Sequence, residues 1–280
     1  MKSSIDIITI VQARMGSNRL PGKVLLPLIG KPLLVRLIER IKAAKYVGQI
    51  LVATTNEIID DPIEKLCLEE DIECFRGHPT DLLDRHYQAG FFYGADAVVK
   101  IPSDVPLIDP KIIDRVLKFF LDNFKNYDYV SNLHPASYPD GNDVECINYI
   151  ALNKAWLMAR KPFEREHTTP FIWERPSRFR LANVEWETGL NYAMSHRWTI
   201  DYPEDYQFIK TVYDELYSTN NIFSMEDILN LIKQKPEIAE INSAYAGINW
   251  YRNHIDDLST IKSSETRIEP LLDKPVAVSK

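Results

Sequence analysis

Three cysteines in 280 residues (Cys67, Cys74 and Cys146) are too few and too scattered for a disulfide framework or a cysteine zinc site, which points to a reducing compartment. No apolar run approaches the roughly 20 residues that span a bilayer. Met1–Ser4 lead straight into a strand-like segment without the form of a signal peptide, so a cytoplasmic protein with no membrane partner is expected. The histidines show no His-x-x-x-His spacing, and no Gly-x-Ser-x-Gly elbow occurs, so zinc chemistry and covalent acyl chemistry have no support. Positive charge is in deficit, 33 Lys and Arg against 40 Asp and Glu, and the net charge of −7 argues against a nucleic-acid surface. What is present is ordinary globular composition, 45 % hydrophobic and 26 % charged, in a length suited to one domain with appendages.

The acidic total conceals an asymmetry. Residues 1–45 hold nine Lys or Arg and two Asp or Glu, a basic start able to hold a compact anion. Apolar β-branched runs at 6–12, 49–54, 72–75, 97–101 and 127–131 read as strands. Helical spacing falls between them, over 33–41, 61–70, 80–93 (with Thr80 as N-cap) and 109–123. This alternation predicts an α/β protein with a parallel sheet covered on both sides, and ligands at the carboxyl ends of its strands. Beyond residue 130 the regularity weakens: strands are expected at 144–150 and 197–201, helices at 152–160, 203–217 and 225–233. Residues 1–255 form one expected domain and 256–280 an expected loose tail.

The first segment suited to chemistry runs Gln12-Ala-Arg-Met-Gly-Ser-Asn-Arg-Leu-Pro-Gly-Lys23, directly after the first strand. Its backbone amides suit phosphate oxygens, and Arg14, Arg19 and Lys23 suit their charge. It is neither a Walker A loop nor a dinucleotide fingerprint. On the residues alone, a solvated basic loop and an anion site are equally open. Asp104 and Asp201 each follow a strand and fit a magnesium site of one or two carboxylates, although either also suits a helix or turn cap.

The Ala13–Lys23 loop resembles the signature loop of the cytidylyltransferases that make CMP-activated sugars, and most of all the spore-coat polysaccharide branch. Four more segments fit in order: Val52–Asn56, Arg76–Arg85, Ser103–Ile108 and Trp198–Asp205. Ser103 stands where these enzymes often have Gly, and Thr55-Asn56 replaces an acidic pair of the Kdo and sialic-acid branches. The resemblance implies a three-layer α/β sandwich with a mostly parallel central sheet, a Rossmann-like nucleotidyltransferase fold. A smaller insert at 130–195 would serve acceptor binding and homodimer contact. The implied activity joins CTP to a small-molecule acceptor, a sugar, a sugar acid or a phosphorylated or phosphonate compound, giving a CMP-activated product and pyrophosphate for surface polysaccharide or glycoconjugate synthesis. The resemblance further implies catalytic roles for Arg14, Lys23 and Asp104, and a magnesium cofactor on Asp104 and Asp201. Nucleotide contacts are implied for Ala13, Gly16, Ser17, Arg19, Ala53, Thr54, Arg76, Asp84 and Ser103, and acceptor contacts for Asp143, Glu145, Arg165, Glu166 and His167. Two other readings stay open, a nucleotide-sugar-dependent glycosyltransferase and an inactive nucleotide-binding partner.

Overall fold

The computed structural model describes residues 5–271. Its central strand, β1 (Ile7–Gln12), is buried almost throughout, as its unbroken apolar run requires. It pairs in parallel with β2 (Gln49–Thr55) on one side and β4 (Ala97–Pro102) on the other, so that Val11 lies opposite both Val52 and Ile101. Strand β3 (Glu73–Gly77) extends the parallel part. Beyond β4 the direction changes: β6 (Glu145–Asn148) is antiparallel to β4 and to β5 (Tyr129–Ser131), and β7 (Leu181–Asn183) is parallel to β5. Among the described residues the order is β3-β2-β1-β4-β6-β5-β7.

Side chains alternate across this sheet with period two. Ile7, Val11, Val52, Val99 and Ile101 meet helices α1 (Leu33–Lys42), α2 (Asp61–Glu69) and α4 (Pro110–Asp122). Ile8, Ile10, Leu51 and Val98 meet α3 (Leu82–Phe92) and α5 (Tyr149–Met158), with the short helices α6 (Pro162–Glu166) and α7 (Pro170–Trp173) beside them. That is the expected three-layer arrangement. A separate apolar cluster joins Trp198 and Ile200 to α8 (Pro203–Leu216) and α9 (Met225–Gln234).

Several local expectations shift. The α3 cap is Asp81, whose carboxylate accepts from the Asp84 N–H at 2.9 Å, rather than Thr80. Residues 197–201 form no strand. They run extended beside the 139–141 loop and residue 104, with Trp198 N–H donating to Asp140 O at 2.7 Å and Ile200 N–H to Asp104 O at 2.9 Å. Gly141 permits that approach: at φ +113, a Cβ there would sit 2.7 Å from the Trp198 carbonyl carbon. Arg36 and Arg40, on the first helix, are buried although charged. Arg40 donates to Ile108 O (2.8 Å) and Phe223 O (2.6 Å), and Arg36 to Leu28 O (3.0 Å) and the Tyr217 hydroxyl (2.6 Å). Loop carbonyls compensate these buried guanidiniums and tie α1 to the α8–α9 cluster.

The expected loose tail is packed as far as residue 271. Leu258 and Ile261 are buried against the α3–α5 side, and Glu174 accepts from Ser259 N–H and Oγ–H at 2.7 Å each and from Thr260 N–H at 2.9 Å. Two apolar anchors and a carboxylate clamp hold a segment that lacks helical or strand periodicity. The rest of the expected tail, 272–280, lies outside the described residues.

Candidate active site

The carboxyl ends of β1 and β4 open into a cavity of about 1190 Å³. The loop after β1 is held from beneath. Met15 N–H donates to Asp60 Oδ1 at 2.6 Å, the Thr55 hydroxyl donates to the other oxygen of the same buried carboxylate, and Gly22 N–H closes the loop onto Met15 O at 2.9 Å. Gly22 takes φ +70, a left-handed turn that favours glycine, and delivers Lys23 into the floor.

Lys23 is the hub. Its buried Nζ donates to Asp201 Oδ1 at 3.0 Å, to Asp104 Oδ2 at 3.1 Å and to Ile200 O at 2.5 Å. Burial pulls the ammonium pKa down, but the two carboxylates outweigh it, and Lys23 ends above the ordinary lysine value. Arg19 Nη2 reaches Asp201 Oδ2 at 2.8 Å and Arg197 Nη2 the same oxygen at 3.2 Å. Burial raises the Asp201 pKa, but Lys23, Arg19 and Arg197 together bring it down to about 2.

Two further acids sit deeper. Burial, then the nearby Asp104, push Asp143 up to about 6. Burial and Asp143 hold Asp140 well above the ordinary carboxylate range, although Arg197 Nη1 lies 3.6 Å away. Glu145 behaves oppositely. Burial would raise it, but Lys100 Nζ at 2.5 Å and the Tyr129 hydroxyl at 2.7 Å keep it ionised below its usual range. His167 stacks on Trp250 with centroids 3.8 Å apart, and burial pushes its pKa down to about 3.

Of the residues singled out in the sequence, Ala13, Arg14, Ser17, Arg19, Lys23, Ser103, Asp104, Asp143, Glu145, Glu166, His167 and Asp201 line this one cavity. Gly16, Ala53, Thr54, Arg76, Asp84 and Arg165 do not. Arg76 pairs with Asp61 and Glu64 at 2.7 Å each, Asp84 accepts from Trp156 Nε1 at 2.7 Å, and Arg165 pairs with Asp81 at 2.5 Å. Gln12, Arg85 and Tyr138, which had no individual role in the sequence, also line the cavity, as do Lys100, His134, Arg197 and Trp250, which no motif marked. Lys100 carried a legible signal, a charge inside an otherwise apolar strand. Gln12 Oε1, His134 Nδ1 and the Tyr138 hydroxyl are buried without a hydrogen-bond partner, which marks a wall built to receive polar ligand groups.

Asp104 and Asp201 share one ammonium, so their oxygens lie within reach of a single cation. Among the described residues no set of three or more His, Cys, Asp or Glu is arranged for a metal. Two hard carboxylate ligands fit magnesium completed by water and phosphate oxygens and do not fit a self-sufficient zinc cage.

The profile of the cytidylyltransferase family matches residues 8–235. An uncharacterized protein of Methanocaldococcus jannaschii is 37 % identical over 241 residues, covering 85 % of this chain and 95 % of that one. The spore coat polysaccharide biosynthesis protein SpsF of Bacillus subtilis is 29 % identical over 239 residues, covering 84 % and 97 %. Among solved structures, a cytidylyltransferase of Leptospira borgpetersenii superposes with a TM-score of 0.79 at 33 % identity, covering 84 % of this chain and 97 % of that one.

Proposed function

The chain belongs to the cytidylyltransferase family, CTP-dependent nucleotidyltransferases, and on that premise we propose that its cavity joins CTP to a sugar or sugar-acid acceptor for surface polysaccharide or glycoconjugate synthesis. The observation that carries this reading is the convergence of Arg19, Lys23, Asp104 and Asp201 in one network at the strand ends. An acceptor oxygen attacks the α-phosphorus in line, the bond to the bridging oxygen breaks, and pyrophosphate leaves. Such transfers need positioning and charge neutralisation rather than a covalent enzyme intermediate.

Arg14, Arg19 and Lys23 bind the triphosphate and neutralise the charge that collects on pyrophosphate. Asp104 and Asp201 would hold magnesium, which supplies Lewis-acid polarisation of the phosphate. Asp143 and Glu145 face the acceptor half and orient its hydroxyls. Trp250, His167 and the short helices exclude water from that half. We further infer a cytoplasmic homodimer. Among the described residues no helix is long and apolar enough to cross a membrane, and exposed Ile150, Leu157 and Met158 on α5 give an apolar face for a second copy. Sedimentation velocity reads that state directly.

The decisive test incubates the purified chain with magnesium, each of the four nucleoside triphosphates and a panel of sugars, reading pyrophosphate and the mass of any nucleotide adduct. CTP-dependent pyrophosphate with a CMP adduct is expected. Release of a nucleoside diphosphate from a nucleotide sugar, the glycosyltransferase outcome, would sink the reading, as would no product from any combination.

A further inference from the structure

The family match ends at residue 235, yet residues 248–265 build one side of the cavity. This segment is firmly placed. Its start is held by Arg197, whose Nη1 donates to Ile248 O at 2.7 Å while the same guanidinium grips Asp201 and Asp205. Its middle is anchored by buried Leu258 and Ile261 and by the Glu174 clamp on Ser259 and Thr260. Asn249 Nδ2 donates to Glu265 O at 2.9 Å and closes the segment on itself.

What it presents to the cavity is aromatic and polar. Trp250 stacks on His167 at 3.8 Å and 17°, and His254 meets Phe163 at 5.2 Å. Asn253, Lys262 and Glu265 line the same wall with hydrogen-bonding groups. At the turn that carries His167, Thr168 is fully buried at φ +73 with its hydroxyl unpartnered. A β-branched residue in that backbone region is strained, and such strain persists where the surroundings over-determine it. An aromatic face beside separate donors and acceptors suits a ring with an apolar C–H face and a rim of hydroxyls.

We propose that residues 248–265, beyond the stretch shared with the family, are the acceptor-selecting wall of this enzyme, and that the Trp250–His167 stack is the surface on which a ring-form sugar rests. This rests on the transferase reading for what happens next, but not for the binding itself. Trp250 is here a specificity residue. The loop of Arg14, Arg19 and Lys23 is expected to hold nucleotide without it.

The test measures sugar binding to the full chain with CMP present, by ligand-observed saturation-transfer NMR. The panel holds a neutral hexose, an N-acetylhexosamine, a sugar acid and a hexose phosphate. At least one is expected to bind through its ring protons. Trp250→Leu, which keeps an apolar side chain but removes the aromatic face, is expected to weaken that sugar on the order of tenfold, about 1.4 kcal/mol. Trp250→Phe is expected to restore most of the affinity, and CMP affinity is expected to stay unchanged in both. Binding insensitive to Trp250→Leu, parallel loss of CMP, or no binding by any panel member would overturn the proposal. Pyrophosphate release with CTP is read separately. A sugar held on this wall without pyrophosphate sinks the transferase reading alone, whereas turnover with an acceptor KM indifferent to residue 250 sinks the wall alone.

Discussion

The two halves of the cavity are built in opposite ways. The half proposed for the nucleotide is one continuous loop, residues 13–23, set against Asp104 and Asp201, with cations and carboxylates neutralising one another at 2.8–3.1 Å. The half proposed for the acceptor is assembled from β4, β5, β6, the α6–α7 region and 248–265, and it combines aromatic stacks, one tight ion pair and acids left short of counter-charge. A compact loop suits a ligand whose chemistry is always the same, a triphosphate. A wall drawn from distant segments is free to vary with the acceptor.

The largest expected effect tests whether the acceptor half is held by charge. Lys100→Met leaves Glu145 buried and unpaired, and removing one partner of a buried ion pair costs about 3–5 kcal/mol. Urea unfolding measures it, and a loss below about 1 kcal/mol would show the pair to be dispensable. Next, Lys23→Ala and Asp104→Ala are each expected to lower turnover by about 10²–10³ with the fold intact, the cost of losing one preorganised charge. Near-normal pyrophosphate release from Asp104→Ala would refute the metal assignment.

Acid should then weaken the protein from within. Burial holds His86 at about 3 and His134 at about 4, whereas the unfolded chain protonates both near 6.5. The unfolded state therefore binds more protons between those values. Their contribution is complete above pH 6.5 and declines as pH falls toward 4, by about 1 kcal/mol per histidine between pH 6.5 and 5.5. Chemical denaturation across that range checks the slope, and His86→Gln should flatten it. The smallest effect concerns Arg76. Its carboxylate partners are exposed and it lies off the cavity wall, so Arg76→Ala should leave the KM for CTP unchanged and cost about 1 kcal/mol or less. A raised KM would return Arg76 to the nucleotide half, where the resemblance had put it.

Legibility in the sequence follows the same division. The loop from Gln12 to Lys23 stood out because its chemistry is contiguous, small residues, turn formers and three cations after a buried strand, although its nucleotide role came from the resemblance alone. Strands and helices of the first 130 residues were readable because apolar periodicity reports which face an element buries. The acceptor wall was largely illegible. Trp250 opens a single 3₁₀ turn, Trp250–Asn253, that His254 caps, without periodicity, and their value comes only from meeting His167 and Phe163, more than 80 residues away in the chain. Arg76 and Arg165 were matched by motif and then found bonded to neighbouring carboxylates, because a motif names residue types and leaves their partners unstated.

By itself, then, the sequence determined the α/β alternation and where the cations of the 13–23 loop and the carboxylates at 104 and 201 fall along it, while leaving their roles open. Tertiary structure alone decided that Lys23 stands between those carboxylates, which lie 81 and 178 residues further along the chain. It also decided that Arg40 is buried, that the Asp143 carboxyl is pushed up while the Glu145 carboxyl is held down, and that residues 256–271 pack rather than trail. The physical reason is common to all four. Periodicity and composition are local properties, whereas a charge's state depends on what lies within a few ångströms of it once the chain has folded.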